Sequence, residues 1–278
     1  MSRLSRTQIK QMANQFDEQG YLRVEDALNS EQLTRLNEAV DRHLEAYPED
    51  WVELSDSYYE GTNVLPRTAD FDEVIENPKT LDILRQINGE SITFEEFAIM
   101  LRNRTENLSE VKGWHRDLIR DYSRRMEIDA VSIMFYLSDV TSHDHCFSIV
   151  PETHNRLVDV NPLDVPEDAG VDVIGPAGTA VIFHARAIHG GRLKPNSSQR
   201  RTLQAYYSHW SDQRTAEWSE IPPRLYRKQD SALPPHFYAK WNVTNILDGV
   251  GKRPDDLDPN LPLAGVIREV QKRGKLQM

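Results

Sequence analysis

Apolar residues recur three and four positions apart near the start of the chain. "RTQIKQMANQFDEQ" places Ile9, Met12, Ala13 and Phe16 on one face, which predicts an amphipathic helix that Gly20 stops. "NSEQLTRLNEAVDRHLEAY" repeats Leu33, Leu36, Ala39, Val40 and Leu44 along a face, behind a capping Asn29 or Ser30. Between them "YLRV" reads as a short strand, and "NPKTLDILRQING" predicts a further helix. On a helix, residues two apart point roughly 200° away from each other. His43 and Glu45 therefore cannot share a ligand, and His43 is expected on the solvated surface.

After Gly89 the period shortens. "SITFEEFAIML", "DAVSIMFYLSD", "CFSIV", "VDVIG", "GTAVIFHA" and "RTLQAYYSHW" are rich in β-branched and aromatic residues, between Gly, Pro, Asp or Asn. Strands that follow one another without intervening helices predict an antiparallel sandwich or jelly roll. From about Ser211 the chain is Pro-rich and closes on "LAGVIREVQKRG", a predicted helix. No repeat or linker divides it. The expected architecture is one mainly-β domain over residues 1–278: a mainly helical part over 1–90 packed outside, a jelly-roll core over 91–210, and an extension over 211–278.

The 38% apolar fraction of the 278 residues supports a sizeable core. A net charge of −11 argues against a nucleic-acid or membrane-surface binder. The single cysteine, Cys146, allows no internal disulfide and is expected as a packed thiol. The opening residues have no signal-peptide core, and no stretch is long and apolar enough to span a bilayer. A cytoplasmic location is the expectation; oligomeric state stays open.

Candidate chemistry centres on "GWHRDL". In a strand, His115 and Asp117 point to one face and can reach one ion together. The pair alone is weak evidence, because a two-histidine, one-carboxylate metal site needs a second histidine from elsewhere. His143 and His145 flank Asp144 in a turn, with too few cysteines for a thiolate cluster. His154 and His236 fall in loops, and His209 ends a strand. His184 extends the apolar strand "GTAVIF" and reads as a packed structural histidine. His189 precedes Gly190-Gly191, where a bare backbone lets a ligand approach closely.

Two further patterns bear on ligands. Residues 102–125 hold Arg102, Arg104, Lys112, Arg116, Arg120, Arg124 and Arg125 against four acidic residues. They form either a cationic rim for an anionic substrate or a solvated segment that pairs internally. In "RRTLQAYY", alternation groups Arg200 with Thr202 and Gln204, and Arg201 with Leu203, Ala205 and Tyr207. The second set looks like packing residues, which would send Arg201 to the rim. Trp114, Met134, Tyr136 and Trp210 suit either a pocket or the core.

Taken in order, these segments resemble the phytanoyl-CoA dioxygenase-like iron(II)/2-oxoglutarate oxygenases. "GWHRD" resembles the family's W-H-x-D, and "SDVTSHDHCFSIVPETH" its stretch ending in P-G-S-H. "GTAVIFHARAIHGG" resembles the segment with the second histidine, and "NSSQRRTLQAYY" the arginine-bearing last strand. "FDEQGYLRVEDALNSEQLTRL" is similar to the family's opening, and the likeness spans about residues 15–207. The resemblance implies a double-stranded β-helix (jelly roll, cupin-like) with His115, Asp117 and His189 as iron ligands. It implies Arg200 as the anchor for the distal carboxylate of 2-oxoglutarate, and O2 as the second co-substrate. Asp144-His145, Glu152-Thr153 and Gly191 depart from the family pattern.

The implied activity is hydroxylation of a small molecule, with release of succinate and CO2. Desaturation or ring closure would use the same site. Three alternatives stand beside it: a silent jelly-roll binding protein, a halogenase, and a metal-dependent hydrolase. A halogenase would need a small residue where Asp117 stands, and a hydrolase has no use for Arg200.

Overall fold

Two antiparallel sheets carry the fold, with helices against the outer face of the larger one. In chain order the elements are α1 (Arg6–Gln19), β1 (Tyr21–Val24), α2 (Ser30–Ala46), β2 (Trp51–Ser55), β3 (Tyr58–Gly61), α3 (Asp72–Ile75) and α4 (Pro78–Asn88). There follow β4 (Ile92–Arg102), β5 (Glu110–His115), β6 (Ala130–Tyr136), β7 (Cys146–Ile149) and β8 (Val171–Val173). β9 (Ala180–His184), β10 (His189–Leu193), β11 (Arg200–His209) and the short α5 (Pro223–Tyr226) complete them. The computed structural model describes residues 4–55, 57–105, 110–117, 130–155, 160–195, 198–209, 219–227, 232–234 and 236–238. The helix predicted in "LAGVIREVQKRG" and Trp210 lie outside these.

Local chemistry sets the helix ends. Ser5 and Gln8 form a reciprocal capping box at the start of α1, and Gly20 closes it at φ 80°. Asn29 caps α2 in the same way through Gln32. Of the two capping candidates the sequence offered, Asn29 is the cap.

The larger sheet runs β1-β9-β6-β11-β4-β3-β2 and the smaller β5-β10-β7-β8. They face each other as a jelly roll, the double-stranded β-helix expected from the strand pattern. The central strands β4, β6, β9 and β11 of the larger sheet are buried on both faces. Ile99 and Leu101 on β4, Ile133 and Phe135 on β6, and Leu203, Ala205 and Tyr207 on β11 pack outward against α1, α2 and α4. The alternate residues point into the jelly roll, where Met134, Tyr136, Val181 and Phe183 meet Phe147, Ile149 and Val173 of the smaller sheet. Cys146 is a fully buried member of this inner core. Each such burial contributes about 1.5–3 kcal/mol, so the two cores lock the sheets in one arrangement.

The N-terminal part holds the predicted strand "YLRV" as β1 and, beside its helices, a β2–β3 hairpin that the sequence pattern did not predict. β1 pairs with β9, and the β2–β3 hairpin extends the larger sheet through β4. Aromatic and β-branched residues (Trp51, Val52, Tyr58, Tyr59) favour strands, and the edge of β4 supplies the hydrogen bonds a lone hairpin lacks. The hairpin also corrects the reading of His43. That side chain is 2% exposed, and the Trp51 indole N–H donates to its Nδ1 at 3.2 Å. Helical spacing alone put His43 in solvent; Trp51 covers it.

Among the described residues no helix is long and apolar enough to cross a membrane.

Candidate active site

His115 ends β5, and His189 begins β10 directly opposite it in the smaller sheet. Asp117 lies two residues past the end of β5, tied down by its backbone N–H to Ala185 O at 3.0 Å. Each imidazole is oriented from behind. His115 Nδ1 lies 2.7 Å from Gly113 O, and His189 Nδ1 lies 2.9 Å from Ala187 O. A carbonyl can only accept, so both Nδ1 atoms carry the proton and both Nε2 atoms present lone pairs. Gly113 adopts φ 61°, which helps aim its carbonyl at the ring two residues on.

The two Nε2 atoms converge on one carboxylate oxygen. His115 Nε2 is 3.4 Å and His189 Nε2 3.3 Å from Asp117 Oδ1, and one ligand atom from each residue falls within 4.8 Å of the others. Imidazole nitrogens this close to a carboxylate oxygen need positive charge between them, a proton on the ring or a metal ion in its place. That donor set, two neutral imidazoles and a carboxylate, suits a divalent iron and leaves coordination positions open. Burial alone would raise the Asp117 carboxyl, but His189, His115 and Tyr206 hold it well below the usual carboxylate range. It is ionised at neutral pH, as a ligand must be.

The second oxygen of Asp117 is also held. Tyr206 Oη donates to Asp117 Oδ2 at 2.7 Å and accepts from Gln204 Nε2 at 2.7 Å. Tyr206 lies on the inward face of β11 with Arg200, Thr202 and Gln204, so a single strand serves both ends of the site. The alternation that grouped Arg200 with Gln204 extends one more step to Tyr206, a step the sequence reading did not take.

The cluster opens into a cavity of about 790 Å³, within the range typical of ligand pockets. Met100, Arg102, Met134, Arg200, Gln204 and Tyr206 form one wall, and Tyr58 and Glu60 of β3 another. Arg200 is 6% exposed, and its Nε has no partner among the described residues. A buried, unmatched guanidinium fits a co-substrate that brings its own carboxylate. Arg201 points the other way and pairs with Asp41 of α2 at 2.8 Å. The opposite faces are as alternation predicts, though Arg201 meets a helix rather than the rim of the pocket.

His184 is buried, stacks on Phe16 and accepts the Arg186 N–H at Nδ1, as a structural histidine does. His145 is buried rather than a free turn residue, bridging Asn103 O and the Lys194 N–H. Met134 lines the cavity, whereas Tyr136 is fully buried and donates to Val173 O. Trp114 packs over Gly170, where any Cβ would meet its ring at 2.2 Å. Within the basic segment, Arg116 turns inward to the carbonyls of Thr153, Val160 and Arg186, so it adds nothing to a cationic rim. Arg102 does reach the cavity; the side chains of Lys112, Arg120, Arg124 and Arg125 lie outside the described residues. Tyr58 and Glu60 were missed because their hairpin was not recognised in the sequence.

Fold and cluster together define a class, a double-stranded β-helix built around two histidines and a carboxylate. The family model for phytanoyl-CoA dioxygenase (PhyH) matches residues 16–202, more than half of the chain, and the protein belongs to that family. It is thus a non-haem oxygenase dependent on iron(II), 2-oxoglutarate and O2, acting on a small molecule. Solved structures share the fold at low identity. The α-ketoglutarate-dependent epimerase SnoN from nogalamycin biosynthesis is 19% identical with a TM-score of 0.59, covering 73% of this chain and 83% of SnoN. HygX from Streptomyces hygroscopicus, with nickel, 2-oxoglutarate and hygromycin B bound, is 17% identical at TM-score 0.60, covering 78% and 91%. AviO1 from Streptomyces viridochromogenes Tue57 is 18% identical at TM-score 0.60, covering 77% and 99%. No curated protein matches the chain.

Proposed function

We propose that His115, Asp117 and His189 hold the iron, that Arg200 binds the distal carboxylate of 2-oxoglutarate, and that the enzyme hydroxylates a small molecule in the cavity between them. The observation that carries this reading is the convergence of the three ligand atoms, with both imidazoles set by backbone carbonyls to present Nε2. When bound, the iron and 2-oxoglutarate supply O2 activation: one oxygen atom goes into the substrate, the other into succinate, and CO2 leaves.

The chain's own residues have separable tasks. The carbonyls of Gly113 and Ala187 keep the protons on Nδ1, so that Nε2 stays available. Tyr206 orients Asp117 through Oδ2 and leaves Oδ1 facing the imidazoles. Phe147 and Phe183 pack beside the His189 ring with centroids 5.3 and 4.8 Å away, which excludes water from that side. Arg200 meets the co-substrate's far end with a planar guanidinium whose paired N–H groups match a carboxylate. Hydroxylation needs only one substrate C–H bond near the ligands. Asp117 in the carboxylate position argues against a halide-binding variant of the site.

The test is anaerobic. Iron(II) and 2-oxoglutarate added together to the protein are expected to give a visible charge-transfer band that neither gives alone. Under air, candidate substrates are then ranked by stimulated succinate release and a product gain of 16 mass units, roughly one oxygen atom. A silent binding protein would give no succinate, and a hydrolase would turn over without O2.

A further inference from the structure

Two guanidiniums share this cavity. Arg102 on β4 and Arg200 on β11 are direct cross-strand partners, and both line the pocket. They are 8% and 6% exposed. Among the described residues no carboxylate pairs with either. Like charges directly opposite on neighbouring strands are destabilising, and burial removes the water that would screen them. Burial and the charge of Arg200 together push the Arg102 pKa down to about 10. His145 adds no third charge, since burial and these same two arginines keep it neutral.

Arg102 is nonetheless held in one place. Its Nη1 donates to Ser55 Oγ at 3.3 Å, and its guanidinium carbon sits 4.1 Å from the centre of the Tyr58 ring. These contacts come from the β2–β3 hairpin and leave the Nη2 side facing β10. There it meets Gly191, where an added Cβ would lie 3.8 Å from Nη2. Because Gly191 has no side chain, the guanidinium keeps room on that side, in the cavity that Arg200 also lines. A cation fixed by a hydroxyl and an aromatic face, beside a second cation, is organised for an anion with two acceptor oxygens.

We propose that Arg102 is a second anchor for the distal carboxylate of 2-oxoglutarate, so that this carboxylate is clamped between Arg102 and Arg200 beside Gly191. The proposal rests on the reading of Arg200 as the co-substrate anchor. It also assigns the β2–β3 hairpin a role in co-substrate binding, through Ser55 and Tyr58. With both arginines committed, the cavity wall left to the substrate carries, among the described residues, Glu60 and Met100 rather than a cation.

The test compares iron(II)-loaded wild type, Arg102→Met and Arg200→Ala under argon, titrated with 2-oxoglutarate and with 2-oxopentanoate, which has a methyl group in place of the distal carboxylate. The readout is the charge-transfer band, which needs no turnover. Arg102→Met is expected to weaken 2-oxoglutarate binding by roughly tenfold to a hundredfold, the loss of one charge-assisted bond, and to leave 2-oxopentanoate binding unchanged. The metal-free variant is expected to melt at a higher temperature than wild type, because the repulsion with Arg200 is gone. Arg102→Lys keeps the charge but not the fork; it is expected to fall between the two and serves if the methionine variant does not fold. Unchanged 2-oxoglutarate affinity in the Arg102 variants, or an equal loss for both keto acids, would overturn the proposal. If wild type itself gave no band, or Arg200→Ala bound 2-oxoglutarate normally, it is the underlying reading of the site that would fail.

Discussion

The phenol of Tyr206 and the carboxylate of Asp117 are joined by a 2.7 Å hydrogen bond across the jelly roll, from the larger sheet to the end of β5. Gln204, two residues back on the same strand, donates to the phenol oxygen and leaves its proton free for Asp117. Under the proposed ligand assignment, Tyr206 acts on the iron through Asp117, as a positioning residue. Tyr206→Phe keeps the packing and removes the bond. It is expected to weaken iron(II) binding by roughly 10–100-fold, with the folded state intact. Metal titration followed by circular dichroism checks both halves. Unaltered affinity would mean that the Asp117 rotamer needs no support.

Three histidine variants separate ligands from packing. His115→Ala and His189→Ala are expected to lose iron binding and oxygen-dependent succinate formation while remaining folded. His184→Ala removes a ring stacked on Phe16 and is expected to lower thermal stability but retain metal. Iron content after desalting, read beside the melting temperature, distinguishes these outcomes. Loss of iron from the His184 variant alone would reassign the site.

Neighbouring arginines provide a sharp contrast. Arg200→Ala is expected to raise the apparent Michaelis constant for 2-oxoglutarate by about a hundredfold or more, since a buried carboxylate loses its bidentate partner. Arg201→Ala breaks only the partly exposed pair with Asp41 and is expected to change that constant less than about twofold. The reverse ranking would put the co-substrate on the helical side of the sheet.

Acid sensitivity has a specific source in His145. Its Nε2–H donates to Asn103 O and its Nδ1 accepts from the Lys194 N–H, so a second proton would face a donor. Burial, reinforced by Arg200 and Arg102, pushes its pKa down to about 4. Since the folded pKa lies below the unfolded value near 6.5, its contribution to stability is complete above about pH 6.5 and is lost as pH falls towards 4. Burial lowers His43 and His154 as well, which adds to the loss in the same direction. Asp144 and Asp172, held near 2, lose their contributions only below about pH 4. His145→Gln is expected to cut the stability lost between pH 7 and pH 5 by about 1–2 kcal/mol. Urea unfolding at the two pH values measures it, and an undiminished loss would place the acid sensitivity elsewhere.

Much of this architecture is written in local pattern. The capping boxes of α1 and α2, the stop at Gly20 and the alternation along β4, β6, β9 and β11 depend on residues a few positions apart. Alternation alone separates Arg200 from Arg201, and the order of segments from "GWHRD" to "RRTLQAYY" carries the family. What local pattern does not contain is the pairing between distant strands. His115 meets His189 because β5 and β10 lie side by side in register, and Asp117 finds a phenol 89 residues away. The burial of His43 and the access of Tyr58 and Glu60 to the cavity follow from where a short hairpin docks, on the edge of β4. Arg102 stands opposite Arg200 for the same reason: β4 and β11 pair at that register. Side-chain periodicity is determined by the backbone of one strand and can be read within it. Register and docking are decided by contacts that form only once the sheets close, and those contacts bring Arg102, Arg200, His115, Asp117 and His189 into one cavity.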